Sequence, residues 1–184
     1  VCSGTDCQVY NGVSLATARS NQAVDNTAGL RLYYEGDLIQ NAVYHASNGG
    51  ATEDAKNVWG TEKGYLKGKT DPYESKTSIP NYSWTVTYTA DELTWILDQK
   101  LGSKERSIGQ VQDVYISALT PAGNVSAVTF VGSDGVKTVT GETCRTIFYS
   151  STYGKSVKSQ RFQINGQSGG AWTFVLSTLT TILL

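Results

Sequence analysis

The residues with chemical reach are concentrated in one stretch, Tyr44-His45-Ala46-Ser47-Asn48-Gly49-Gly50-Ala51-Thr52-Glu53, with Trp59 and Tyr65 following. Paired glycines let backbone amides come close to a ligand. Ser47, Asn48 and Thr52 offer hydroxyl and amide groups, and Trp59 and Tyr65 offer flat apolar ring faces. Rings interleaved with small polar groups suit a neutral, polyhydroxylated ligand. The candidate contact set is therefore Tyr44, His45, Ser47, Asn48, Gly49, Gly50, Thr52, Trp59 and Tyr65. A purely structural reading competes with it: the glycines only turn the chain, Trp59 fills a core, and His45 alternates with Tyr44 across a strand.

Other chemistries are poorly supplied. The chain has no Gly-rich phosphate loop and no His-Glu-x-x-His, and His45 is its only histidine. A Ser-His-Asp triad would have to be built on His45 without any nucleophile-elbow pattern. Glu53, Glu62 and Glu74 flank the signature stretch, but each reads as solvated surface, and no catalytic acid is assigned within the chain. Cys2 and Cys7 form a close pair, with Cys144 far away. In an oxidising compartment such a pair closes a small disulfide loop or stays as two thiols; in a metal site it supplies two thiolates that need further ligands.

Several elements must position these groups. Residues 20–27 read as a short helix after a Ser20 cap, stopped by Gly29. Residues 30–34 and 38–44 flank Glu35-Gly36-Asp37 as a β-hairpin. Residues 47–73 lose periodicity and form a long loop, with a helical turn at 53–57. Residues 82–88 alternate as a strand, and Thr89 caps a helix over 90–101 in which Leu93, Ile96, Leu97 and Leu101 share a face. Residues 111–119, 125–131 and 136–139 form a three-stranded meander. Residues 142–149 form a short helix that turns Cys144 and Phe148 inward, and 157–164 return as a strand. The fold class expected is α+β: mainly antiparallel sheet with a few short helices, in a single domain over 1–164. Residues 165–170 have linker composition, which leaves 165–184 as a linker-like stretch with a C-terminal segment that belongs to a neighbouring region or packs as a final strand.

Composition narrows the class. A 184-residue chain can bury roughly 70% of its unfolded surface in one core. The net charge is −1 with Lys and Arg scattered, which argues against a nucleic-acid partner. The abundant Thr, Ser, Gly and Tyr read as a strand-rich extracellular protein. The apolar run over 171–184 is too short and too Thr-rich to span a bilayer. With no Met and a start on Val1-Cys2, the chain is expected to be a fragment of a larger protein.

The run Cys2, Gln8-Val9-Tyr10, Ala23-Val24, Asn26-Thr27-Ala28-Gly29, the hairpin and the signature from Tyr44 to Tyr65 resembles the stage II sporulation protein D and amidase-enhancer family. Trp84, Glu92-Leu93, the strands of the meander, Gly141, Arg145 and Ser159, Arg161 and Phe162 also fall where that pattern has similar residues, so the resemblance covers almost the whole chain. It implies binding of peptidoglycan glycan strands at the cell wall or the outer face of the membrane. In catalytic members it implies lytic transglycosylase cleavage by one acidic residue, with no cofactor required. Other members are enhancers of autolytic amidases, so the alternative is a non-catalytic wall-binding or enhancer module with other cell-wall hydrolases as partners. The catalytic glutamate and closing His-Gly-Val-Gly-Met-Ser-Gln stretch of the family have no counterpart here. Some relatives bind zinc through a Cys pair and an upstream His, which points to Cys2 and Cys7 as ligands, although Asp6 stands where a His often precedes the second Cys.

Overall fold

A computed structural model describes residues 12–40, 42–44, 48, 50–73, 83–101 and 107–176. It divides the chain into two compact units, Val1–Tyr44 and His45–Leu184. In the first, a 3-10 turn at Val13–Leu15 precedes helix α1, Ala18–Asn26. The helix begins before the expected Ser20 because Thr17 takes the cap. The Thr17 hydroxyl accepts the Ser20 N–H at 3.1 Å while the Ser20 Oγ accepts the Thr17 N–H at 2.8 Å, a reciprocal capping box. The hairpin is present with shorter arms than expected: β1 is Tyr33–Tyr34 and β2 is Asp37–Leu38. Its turn places Glu35 at φ 52° and Gly36 at φ 91°, the paired positive values that match strand twist in two-residue hairpins.

The second unit carries the core. After helix α2, Ala55–Trp59, come β3, Thr85–Thr89, and α3, Ala90–Leu101. The meander follows as β4, Val111–Leu119, β5, Val125–Gly132, and β6, Val136–Thr140. A four-residue helix α4, Thr143–Thr146, leads to β7, Phe162–Ser168, and β8, Ala171–Leu176. Two three-stranded antiparallel sheets result, β3-β8-β7 and β4-β5-β6. The α+β class with antiparallel sheets and short helices is the observed one.

Sequence causes the main elements directly. Thr89 and Glu92 form a capping box, with Thr89 N–H to Glu92 Oε2 at 2.9 Å and Glu92 N–H to Thr89 Oγ1 at 3.2 Å. Helical spacing then buries Leu93, Ile96 and Leu97. Phe148 is fully buried and packs against Tyr88, Phe130, Phe162 and Phe174 at ring separations of 5.7, 5.6, 6.1 and 4.7 Å. Helix α4 is shorter than the expected 142–149, but Cys144 and Phe148 do point inward, and burial lifts the Cys144 thiol to about 11.

The linker reading of 165–170 is corrected, and of the two alternatives for the segment after it the final strand is the one observed. Asn165 to Ser168 continue β7, Gly169-Gly170 make the turn, and β8 becomes the central strand of its sheet, with Trp172 and Phe174 buried. Glycine, Ser and Asn lower strand propensity, and the pairing of β8 with strands on both sides overrides them. The same pairing shifts the last expected strand from 157–164 to β7.

Candidate functional site

The loop from Asn48 to Tyr73 is built by polar groups rather than by apolar burial. Asn48 Nδ2 donates to Asp71 Oδ2 at 2.8 Å, and Asn48 Oδ1 accepts the Gly50 N–H at 2.8 Å. The Gly50 carbonyl accepts the Asp71 N–H at 2.8 Å, and Ala51 forms an antiparallel bridge with Thr70. Thr52 continues the clasp, donating its N–H to Lys69 O at 2.8 Å and accepting the Lys69 N–H at Oγ1 at 2.9 Å. Gly50 sits at φ 100°, a conformation a side chain would strain, so its glycine is required by the turn itself.

Helix α2 starts two residues later than the helical turn read from sequence. The cause is Asp54, whose carboxylate accepts the Lys56 N–H at 3.0 Å as N-cap. Gly60, left-handed at φ 73°, ends the helix with its N–H on Lys56 O at 3.0 Å. This helix carries Trp59 at its last position, 56% exposed, while Tyr65 is half-buried. An ion pair of Lys67 with Glu62, and a 3.4 Å contact of Lys67 with Asp54, close the far side.

Sequence reasoning missed Glu53. Expected on the solvated surface, it is half-buried and accepts four hydrogen bonds. Its Oε1 takes the Asp54 N–H at 2.9 Å and Asn57 Nδ2 at 2.8 Å; its Oε2 takes Asn124 Nδ2 at 2.8 Å and the Thr120 hydroxyl. Thr120 and Asn124 bracket the β4–β5 turn, so Glu53 fastens the signature loop to the meander. Burial alone would raise its pKa, but the bonds from Asn57, Thr120, Asn124 and the Asp54 amide together hold it below the ordinary carboxylate value. Arg161, 4% exposed, underlies the same turn and donates from Nη2 to Ala122 O; burial lowers its pKa while the charge of Glu53 works the other way. No local periodicity marks Glu53, and only its place directly after a polar turn sets it apart in the sequence.

The predicted set is thus divided. Asn48, Gly50 and Thr52 come together as the loop's scaffold, with the Gly50 amide already used by Asn48 instead of facing a ligand. Trp59 is presented outward on the same loop, and Tyr65 is half-buried. Tyr44 belongs to the first unit and is 76% exposed. His45, Ser47, Gly49 and Glu74 lie outside the described residues, as do Cys2 and Cys7. Two thiolates fill only two of the four positions of a tetrahedral zinc site. Among the described residues no group of three or more His, Cys, Asp or Glu could hold a metal ion.

The carboxyls of Glu53, Asp54, Glu62 and Glu92 are all held below their ordinary values. Each is thereby favoured in its ionised form. A cleft of about 480 Å³ lies between β4 and β7 and is lined by none of the loop residues. No helix among the described residues is long and apolar enough to cross a membrane.

No family model matches the chain. It is 40% identical over 89 residues to the amidase enhancer of Bacillus subtilis (strain 168), an alignment covering 48% of this chain and 12% of that protein. It is 38% identical over 82 residues to stage II sporulation protein D of the same organism, covering 45% of this chain and 22% of that protein. The chain thus spans under a quarter of the length of either relative.

Proposed function

We propose that this chain binds peptidoglycan glycan strands outside the cell, with Trp59 as the principal ring contact on a loop held in place by Asn48, Glu53 and Asp71. The names of the two relatives support a cell-wall-related role. The observation that carries the reading is the placement of Trp59. Trp59 is 56% exposed at the end of a capped helix, and an indole face presented in this way is suited to stack on a sugar ring. In the longer protein this portion serves lytic transglycosylase cleavage, with the acid supplied from outside residues 1–184.

Co-sedimentation with purified peptidoglycan sacculi tests the binding. The chain is expected in the pellet, and Trp59→Ala or Tyr65→Ala is expected to reduce retention; a chain that stays in the supernatant refutes the reading. A second reading is favoured by one observation, the printed name of the relative with the longer alignment: the chain is a non-catalytic module that enhances a wall amidase. Release of 1,6-anhydro products from glycan strands by the longer protein selects the first reading. Stimulation of an amidase without such products selects the second.

A further inference from the structure

The cleft between β4 and β7 has its own chemistry. Strands β4 and β7 are edge strands of the two sheets, and they face each other without pairing. Along β4, Asp113 and Tyr115 alternate with buried Val114, and along β7, Gln163 and Asn165 alternate with half-buried Ile164, so two polar rows reach one opening. Trp172 closes the floor and is buried. A volume of about 480 Å³ falls within the range of small-molecule sites.

Charge selects the ligand. Asp113 is the only acidic residue among the lining residues, and no Lys, Arg or His is among them. Its Oδ1 is fixed by the Val114 N–H at 2.8 Å and by the Trp172 indole N–H at 3.3 Å. Among the described residues nothing donates to its Oδ2. A carboxylate with one oxygen locked and the other open is pre-oriented for an incoming donor, and a charged donor gains most. Tyr115, 45% exposed, adds a ring face that attracts a cation. The side-chain amide of Asn165 and the Tyr115 hydroxyl supply neutral polar groups alongside.

We propose that this cleft binds a primary ammonium group carried on a polar ligand, with Asp113 Oδ2 as the acceptor and Tyr115, Gln163 and Asn165 as the surrounding wall. The ammonium could be supplied by an amino sugar or by a lysine-type side chain. The site is separate from the Trp59 loop and does not rest on the glycan reading of that loop.

The test is a titration of the 15N-labelled full chain, followed by amide shifts and calorimetry, at mildly acidic pH. Three probes are used: a glucosamine tetrasaccharide with free amines, its fully N-acetylated counterpart, and a short lysine-containing peptide. Binding of an amine-bearing probe with shifts at Asp113, Tyr115 and Asn165 is expected, and no such shifts with the acetylated sugar; which amine-bearing probe binds tighter identifies the source. Asp113→Asn keeps an oxygen for the Val114 and Trp172 donors, so the fold is retained while affinity falls at least about ten-fold. Asn165→Asp adds a second carboxylate to the wall and is expected to tighten binding. The proposal is overturned if neither amine-bearing probe shifts the cleft, if the acetylated sugar binds there equally well, or if Asp113→Asn and Asn165→Asp both leave affinity unchanged.

Discussion

The meander β4-β5-β6 and the loop from Asn48 to Tyr73 lie in the same compact unit and are held by opposite means. In the meander, Val111, Val114, Val125, Val128 and Phe130 are buried, and the fold there follows from apolar area removed from water. In the loop, Ala55 is the one buried apolar side chain among the described residues, and order comes from carboxylates and amides that satisfy each other across long sequence separations. The lesson is that the loop has its ring free because its shape does not depend on burying it. Trp59 can face solvent while Glu53, Asn48 and Asp71 keep the backbone in place.

Four substitutions or conditions separate the two regimes. The largest effect is expected for Phe148→Ala, which removes the ring that four other aromatic rings touch and should cost about 4 kcal/mol by chemical denaturation. Loop contacts would be affected only through global unfolding. Next comes Glu53→Ala, which leaves Asn124, Thr120 and Asn57 without their acceptor; a loss of about 2 kcal/mol is expected. Its distinguishing mark is faster hydrogen exchange at Thr52, Ala55 and Asp71, with the sheet amides less affected.

Acid should act on the loop and on the α3 cap. Glu53 and Glu92 have folded pKa values below their ordinary 4.5. For Glu92 burial pushes upward, and the bonds from Lys155 at 2.6 and 2.7 Å and from Thr89 outweigh it. As pH falls through about 4.5 the unfolded chain takes up protons that the folded chain resists, so stability is full above that value and is lost toward the lower folded pKa. Urea midpoints measured from neutral pH downward should show this fall, and Glu53→Gln should reduce its steepness. The smallest effect on stability is expected for Trp59→Ala, within about 0.5 kcal/mol, because the ring is largely exposed. A large loss there would place Trp59 with the core and erase the contrast.

The regions differ equally in how far they could be read from sequence. Strand alternation over 111–119 and 125–131 and helical spacing of Leu93, Ile96 and Leu97 located the meander and α3 closely, because side-chain burial is a local periodic signal. Glu53 carried no such signal. Its role depends on Thr120 and Asn124, some 70 residues away and brought near only by the fold. The 165–170 segment misled for a related reason: its Gly, Ser and Asn look like a linker until β8 pairs on both sides. Of the candidate contacts, exposure of Trp59 was not readable at all, since a Trp near a Gly-rich loop is as readily core as surface. The use of the Gly50 amide by Asn48 was hidden likewise, because it requires the turn geometry and not just the residue types.

Trp59 fluorescence isolates the proposed presentation of this ring to sugar polymers by a polar-fastened loop. A variant in which Trp84, Trp95 and Trp172 are replaced by Phe leaves one indole, reporting only on the loop. Titration with N-acetylated glycan fragments released from peptidoglycan should shift and intensify its emission saturably, with the response abolished by Glu53→Ala under conditions where that protein remains folded. An emission spectrum that stays constant through the titration, while the same fragments bind the chain by calorimetry, would contradict the account.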